Sequence, residues 1–274
     1  GVAGGLMAMG FPTGQVRVSQ ALLERGNASE AMARAQHTLL AHAWMALGQW
    51  DSALVSARRY AASASSEEDI LLPYRIAVVG TWAGGVNPLE ARRSRSSLEE
   101  AFRDQPDLKA RMGWLDGILA LSLEDRQGIR RAKELLGPRD EIPGELTHRI
   151  LDAFLVALKG DTRAAARRLA EIEADISSEG LHFGRFGRAY PFLSGVLRIT
   201  AANWLIEAGD APRARRLLPF YEVVPPGSAY PVGHANEALA AAAIRLRWKL
   251  ARAAGRESEA ASFWNLLAGR RGRQ

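Results

Sequence analysis

The side chains able to do chemistry are few in kind and poorly arranged for it. The chain has 274 residues, five histidines and no cysteine. Without cysteine there is no disulfide framework, thiolate nucleophile, iron–sulfur cluster or cysteine zinc site. The histidines are His37, His42, His148, His182 and His234. His37 and His42 stand five apart, so on a helix they do not share a face, and no HExxH occurs. All five read as surface or core histidines, and neither a metal nor a cofactor is expected. No G-x-S-x-G elbow, Walker loop, kinase catalytic loop or D-F-G sequence is present. His148-Arg149 runs into Ile150 and Leu151 on an amphipathic helix, so it is not the kinase triplet. A non-enzymatic chain is the expectation.

Three segments carry candidate ligand contacts. Gly184-Arg185-Phe186-Gly187-Arg188 has the form of a backbone nest with cationic flanks, able to hold an anion. A tight connection capping a helix from Ala189 explains the same glycines equally well. Trp82, in Thr81-Trp-Ala-Gly-Gly-Val, falls in an expected turn and is the tryptophan expected to be exposed. Tyr230 belongs to a Pro-Pro-Gly-Ser-Ala-Tyr-Pro loop, long enough to be functional, although a plain spacer is the competing reading. The candidates are therefore Trp82, Arg185, Arg188 and Tyr230. Lys and Arg number 36 against 30 Asp and Glu, for a net charge of +6. The arginines cluster at Arg92-Arg93-Ser-Arg95, Arg167-Arg168, Arg213 with Arg215-Arg216, Arg245 with Arg247, and Arg270-Arg271-Gly-Arg273. Acidic residues interleave with most of them, as on solvated helix faces, but not with the tail.

The elements that must position these residues read as helices. Hydrophobic residues are 47% and charged residues 24%, ordinary for a folded chain, and the apolar mass is mostly alanine and leucine. Nearly every segment has helical period and almost none alternates as a strand. Asn87-Pro88 caps and opens a helix through about Asp104, and Pro106 opens another through about Leu123. Gly137-Pro138 and Pro143-Gly144 bracket a loop. The longer connections run from Ser63 to Asp69, Glu179 to Arg188 and Val223 to Gly233. About thirteen helices joined by short turns are expected, neighbours packing antiparallel. The most apolar run, Ile70 to Val86, carries Arg75 and Pro73 and makes a poor membrane span.

Gly26, Gly48, Gly160, Gly209 and Gly255 each end one helical run shortly before the next. Four residues before each stands Leu22, Trp44, Val156, Leu205 or Ala251; five after stands Ala31, Ala53, Ala165, Ala214 or Ala260. Nine after stands Ala35, Ala57, Leu169, Leu218 or Trp264. Glycine followed by alanine is common in so alanine-rich a chain; the joint pattern carries the inference. A left-handed glycine ends one helix and turns the chain, and the small alanine lets the second helix cross the first closely.

These residues resemble the tetratricopeptide repeat family. Trp44-Met-Ala-Leu-Gly-Gln-Trp50-Asp-Ser-Ala53-Leu54 matches it best, with Gly48, Trp50 and Ala53 on the family's glycine, aromatic and alanine positions. Gly160-Asp161 with Ala165 and Gly209-Asp210 with Ala214 match its glycine–aspartate turn, and Gly255 with Ala260 matches more weakly. The intervals from Gly160 to Gly209 and on to Gly255 exceed the family's repeat, that from Gly26 to Gly48 falls short, and residues 65–140 fit loosely, with Glu124 to Leu135 as a degenerate unit. The resemblance implies an all-α superhelix, or solenoid, of irregular hairpins over residues 1–274, with subregions 11–64, 66–140 and 144–274. It also implies a concave groove, lined mainly by first helices, that binds a protein or peptide segment.

The leading expectation is thus a cytoplasmic, non-enzymatic scaffold without a membrane span. If arginines of the first helices line the groove, the ligand is acidic. Nucleic acid is not favoured, because no reader motif occurs. The alternatives are the sensor or regulatory region of a bacterial serine/threonine kinase or transcriptional regulator whose output domain lies outside this chain, and an enzyme with a pocket built from scattered helix ends.

Overall fold

The structure is a computed structural model that describes residues 12–63, 67–101, 106–136, 142–178, 190–218 and 232–271. The described residues form helices and no strand, which bears out the all-α expectation. In order these are α1 (Pro12–Glu24), α2 (Glu30–Ala46), α3 (Trp50–Ala62), α4 (Glu67–Ile70), α5 (Leu72–Trp82), α6 (Pro88–Ala101) and α7 (Pro106–Ser122). There follow α8 (Arg126–Leu135), α9 (Ile142–Leu158), α10 (Thr162–Ser178), α11 (Tyr190–Glu207), α12 (Ala211–Leu217), α13 (Val232–Ala253) and α14 (Glu257–Arg271). One helix, the single turn α4, occupies the expected connection from Ser63 to Asp69. None of the helices is long and apolar enough to cross a membrane among the described residues.

The turns between helices share one construction. Gly48, Gly84, Glu124, Gly160, Gly209 and Gly255 are left-handed, with φ from 54° at Glu124 to 102° at Gly160. The N–H of each donates to the carbonyl three residues back, as Gly48 does to Met45 and Glu124 to Leu121. The next N–H donates to the carbonyl five back: Gln49 to Trp44, Gly85 to Gly80, Asp125 to Ala120, Asp161 to Val156, Asp210 to Leu205 and Arg256 to Ala251. This crossed pair satisfies carbonyls that a helix end leaves bare.

At all but Gly84, that same following residue opens the next helix. The carbonyls of Gln49, Asp125, Asp161, Asp210 and Arg256 accept from Ala53, Ile129, Ala165, Ala214 and Ala260 respectively. The aspartates also cap with their side chains, Oδ1 accepting from the N–H of Gly128, Ala164 and Arg213. After Gly84 the cap comes three residues on, at Asn87, whose Oδ1 accepts from the Leu89 N–H. Four residues past the cap, Ala53, Ala91, Ile129, Ala165, Ala214 and Ala260 are all at most 3% exposed, where the two helices cross.

Six hairpins follow from these hinges: α2/α3, α5/α6, α7/α8, α9/α10, α11/α12 and α13/α14. Gly84 and Glu124 supply the hinges of the loosely fitting stretch, so the interval is thirty-six residues from Gly48 to Gly84, forty on to Glu124 and thirty-six on to Gly160. Gly26 is left-handed too, but it leads into a first helix. The cap there is Ser29, and Ala31 is exposed, so its alanine belongs to a different register.

Contacts divide the chain into two compact units, with the main division at Leu108 and Lys109. In the first, α1 packs on α2, α2 on α3, α3 on α4 and α5, and α5 on α6. In the second, α8 packs on α9, α9 on α10, α10 on α11 and α11 on α12. Each unit is therefore a solenoid-like succession in which a helix leans on its chain neighbours. Tyr74, Leu71 and Ile76 are buried in the first unit, and Phe154, Leu151, Leu169 and Leu197 in the second. Phe154 meets Trp204 edge-on, 6.2 Å between ring centroids.

Successive hairpins are also fastened at their turns. Trp50, the first residue of α3, lies against Gly80 and Gly85 at the end of α5; a Cβ at either glycine would collide with its ring. Arg126, the first residue of α8, donates from Nε to the Leu158 carbonyl at the end of α9, 2.9 Å away. Arg163, near the start of α10, donates to the Ala208 carbonyl at the end of α11 at 3.0 Å. One position class thus reaches forward to the next turn, by aromatic packing in the first unit and by charge-assisted hydrogen bonds in the second.

The hinge geometry gives a paired stability test. A Cβ at Gly160 meets no neighbouring atom within 4 Å, so only the backbone conformation favours glycine there. Glu124 bears the left-handed cost that glycine avoids. Glu124→Gly should raise stability and Gly160→Ala should lower it, each by about 1 kcal/mol, in urea unfolding followed by circular dichroism. Two changes of the same sign would contradict the hinge assignment.

Candidate functional site

The proposed ligand contacts are largely not brought into view. Arg185, Arg188 and Tyr230 lie outside the described residues. Trp82 is the last residue of α5 rather than part of an open turn, and it is half-buried. The turn begins at Ala83, one residue past Trp82, with Gly84 as the hinge after the helix.

The polar side chains that do converge lie in the first unit, where α2 and α3 meet α4. Asp69 on α4 accepts at Oδ2 from the Arg34 guanidinium of α2 and at Oδ1 from the Tyr60 hydroxyl of α3. The same guanidinium lies over the Tyr60 ring, 5.1 Å from its centroid. Arg34 is held above its ordinary value chiefly by its bond with Tyr60. Burial, with the hydrogen bond to Asp69, pushes the Tyr60 hydroxyl upward, so it stays protonated at neutral pH and is no base. One carboxylate thus ties the single-turn helix to both helices of the hairpin. Nothing in the sequence spacing signalled this trio, because Asp69 sits in what reads as a connection.

His37, one residue short of Thr38 on α2, is half-buried, and its Nδ1 has no hydrogen-bond partner. Burial, with the charge of Arg59, holds the imidazole below its ordinary value. His42 is buried and His148 half-buried, on separate helices. The described residues contain no group of three or more His, Cys, Asp or Glu able to hold a metal ion.

The arginines take a placement that the sequence left open. Arg92, Arg93 and Arg95 lie on α6, Arg167 and Arg168 on α10, Arg213, Arg215 and Arg216 on α12, and Arg270 and Arg271 end α14; all are second helices. Of these clusters only Arg245 with Arg247, on α13, is on a first helix; the other first helices carry single arginines, Arg34 on α2, Arg75 on α5, Arg111 on α7, Arg149 on α9 and Arg198 on α11. Arg247 is spent internally: it donates to the Leu218 carbonyl at 3.3 Å, and burial lowers its pKa from the ordinary arginine value. The arginine clusters thus lie mainly on second helices.

Ion pairs join successive helices of the second unit. Lys133 of α8 pairs with Asp152 of α9, Arg149 of α9 with Asp175 of α10 at 2.6 Å, and Arg198 of α11 with the buried Glu173 of α10 at 2.6 Å. Compared with protein-family models, curated proteins and solved structures, the chain matches none.

His37 makes a pH test available. In the unfolded chain it titrates near the ordinary 6.5, and in the fold it titrates lower. Above that value it is neutral in both states and contributes no pH dependence. Below it, the unfolded chain binds a proton that the folded one does not, so stability falls as pH drops from 6.5 toward the folded value. Urea midpoints measured at about pH 7.5 and about pH 5.5 should therefore fall less for His37→Gln than for the unaltered chain. Parallel falls would remove His37 as a source.

Proposed function

We propose that the chain is a non-enzymatic scaffold of tetratricopeptide-like hairpins, which holds a protein or peptide partner against exposed helix faces. The observation that carries this reading is the six-fold hinge with a buried residue, alanine in five cases and Ile129 in the sixth, four positions past the cap. Such a frame repeats one structural unit, and its second helices α8, α10 and α12 keep exposed residues, as in repeat proteins that present extended binding surfaces. The polar trio around Asp69 supports it in a second way: its groups satisfy one another, as an anchor does, and offer no base.

Chemical crosslinking of the tagged chain in its native cell lysate, followed by mass spectrometry, tests the reading. One protein should be enriched reproducibly and crosslinked to residues on helix faces. No retained protein, together with turnover of a small molecule by the purified chain, would overturn it.

A further inference from the structure

The second unit carries its arginines in a pattern that its own stability does not explain. Counted from the helix caps Asp125, Asp161 and Asp210, an adjacent arginine pair begins five or six residues into each second helix: Arg130-Arg131, Arg167-Arg168 and Arg215-Arg216. All six side chains are exposed. Arg131 makes an ion pair with Asp125 at 3.2 Å. The other five form no ion pair with any described residue.

The hinges bring the starts of these helices close to one another. Arg126, at the start of α8, bonds to the end of α9, two residues before the hinge from which α10 starts. Arg163, near the start of α10, bonds in the same way beside the hinge that starts α12. The N-terminal ends of α8, α10 and α12 are therefore fastened in a row, and the three pairs begin at similar distances from those ends, five, six and five residues past the caps.

Local structure gains little from this. Arg126 with Arg130 and Arg163 with Arg167 are like charges four apart, which weaken a helix. Five guanidinium groups without an ion-pair partner among the described residues also repel one another, and a carboxylate-bearing partner relieves that repulsion with bidentate hydrogen bonds.

Two features select the partner. α8, α10 and α12 contain no aromatic residue, so the row offers no platform for stacked nucleobases. Glu134 and Glu171 stand four residues after Arg130 and Arg167, interrupting the row with negative charge. A continuous phosphate track is repelled at those points, whereas a protein surface can set its own cations there.

We infer that the exposed face of α8, α10 and α12 docks a carboxylate-rich protein surface through the three arginine pairs. This rests on the scaffold reading and assigns it a face on the second helices and a partner chemistry.

The test uses the full chain, a fluorescein-labelled poly-glutamate peptide and, as competitor, duplex DNA of equal total charge, at physiological salt. The peptide should bind, and Arg130→Glu/Arg167→Glu/Arg216→Glu should weaken it by about tenfold or more, while DNA competes poorly. The same variant should gain binding of poly-lysine, a result that loss of folding cannot produce. Arg92→Glu/Arg93→Glu, the same kind of charge change in the first unit, should leave peptide binding unchanged. Failure of the peptide to bind, binding indifferent to the triple reversal, or DNA displacing the peptide efficiently would each overturn the inference. The lysate crosslinking separates the two levels: a partner retained by the triple variant as well as by the unaltered chain removes the docking face and leaves the scaffold standing.

Discussion

The repeated constraint in this fold is to end one helix and start the next within a single residue, which five of the six hinges do. A helix end leaves carbonyls unsatisfied and a helix start leaves N–H groups unsatisfied. At Gly160-Asp161 one short element resolves both: the Asp161 N–H closes α9 on Val156, while its carbonyl and side chain open α10. The left-handed conformation this needs is unfavourable for L-residues by about 1–2 kcal/mol. Glycine therefore occupies five of the six hinges, and Glu124 holds the remaining one because the bonds on either side over-determine it.

The hinge also dictates what happens beyond it. A sharp turn forces the two helices together, so the residue four past the cap must be small or fit a tight crossing, as Ala165 and Ile129 do. It also brings the start of each second helix close to the next hinge. Trp50 uses that proximity for packing on Gly80 and Gly85, and Arg126 and Arg163 use it for hydrogen bonds to bare carbonyls. With neighbours joined this way, a cysteine-free chain is held by contacts between chain neighbours, and the arginine pairs of α8, α10 and α12 stay at the surface.

Much of this was legible in the residues, and the parts that were not have specific causes. Helical period and the prolines at Pro88 and Pro106 marked the helices well, because those signals are local. The hinges at Gly48, Gly160, Gly209 and Gly255 were visible through glycine's freedom at positive φ. Glu124 was invisible to that logic, since it does the work of a glycine without being one; the aspartate cap that follows it was the usable signal. Gly26 misled in the opposite direction: it is left-handed, yet its cap lies three residues on, which puts Ala31 at the surface. That the arginine clusters lie mainly on second helices depends on where each hinge falls, which spacing alone did not show at Glu124. The Asp69 trio depends on contacts between separate helices, which spacing along one chain does not encode.

Amide hydrogen exchange at Gln49, Gly85, Asp125, Asp161, Asp210 and Arg256 tests the shared hinge most directly. Each of these N–H groups is donated across a helix end to the carbonyl five residues back. All six should be protected together with the helices they join, Asp125 among them although a glutamate precedes it. Exchange at these amides as fast as in an unstructured peptide, while the flanking helices stay protected, would contradict it.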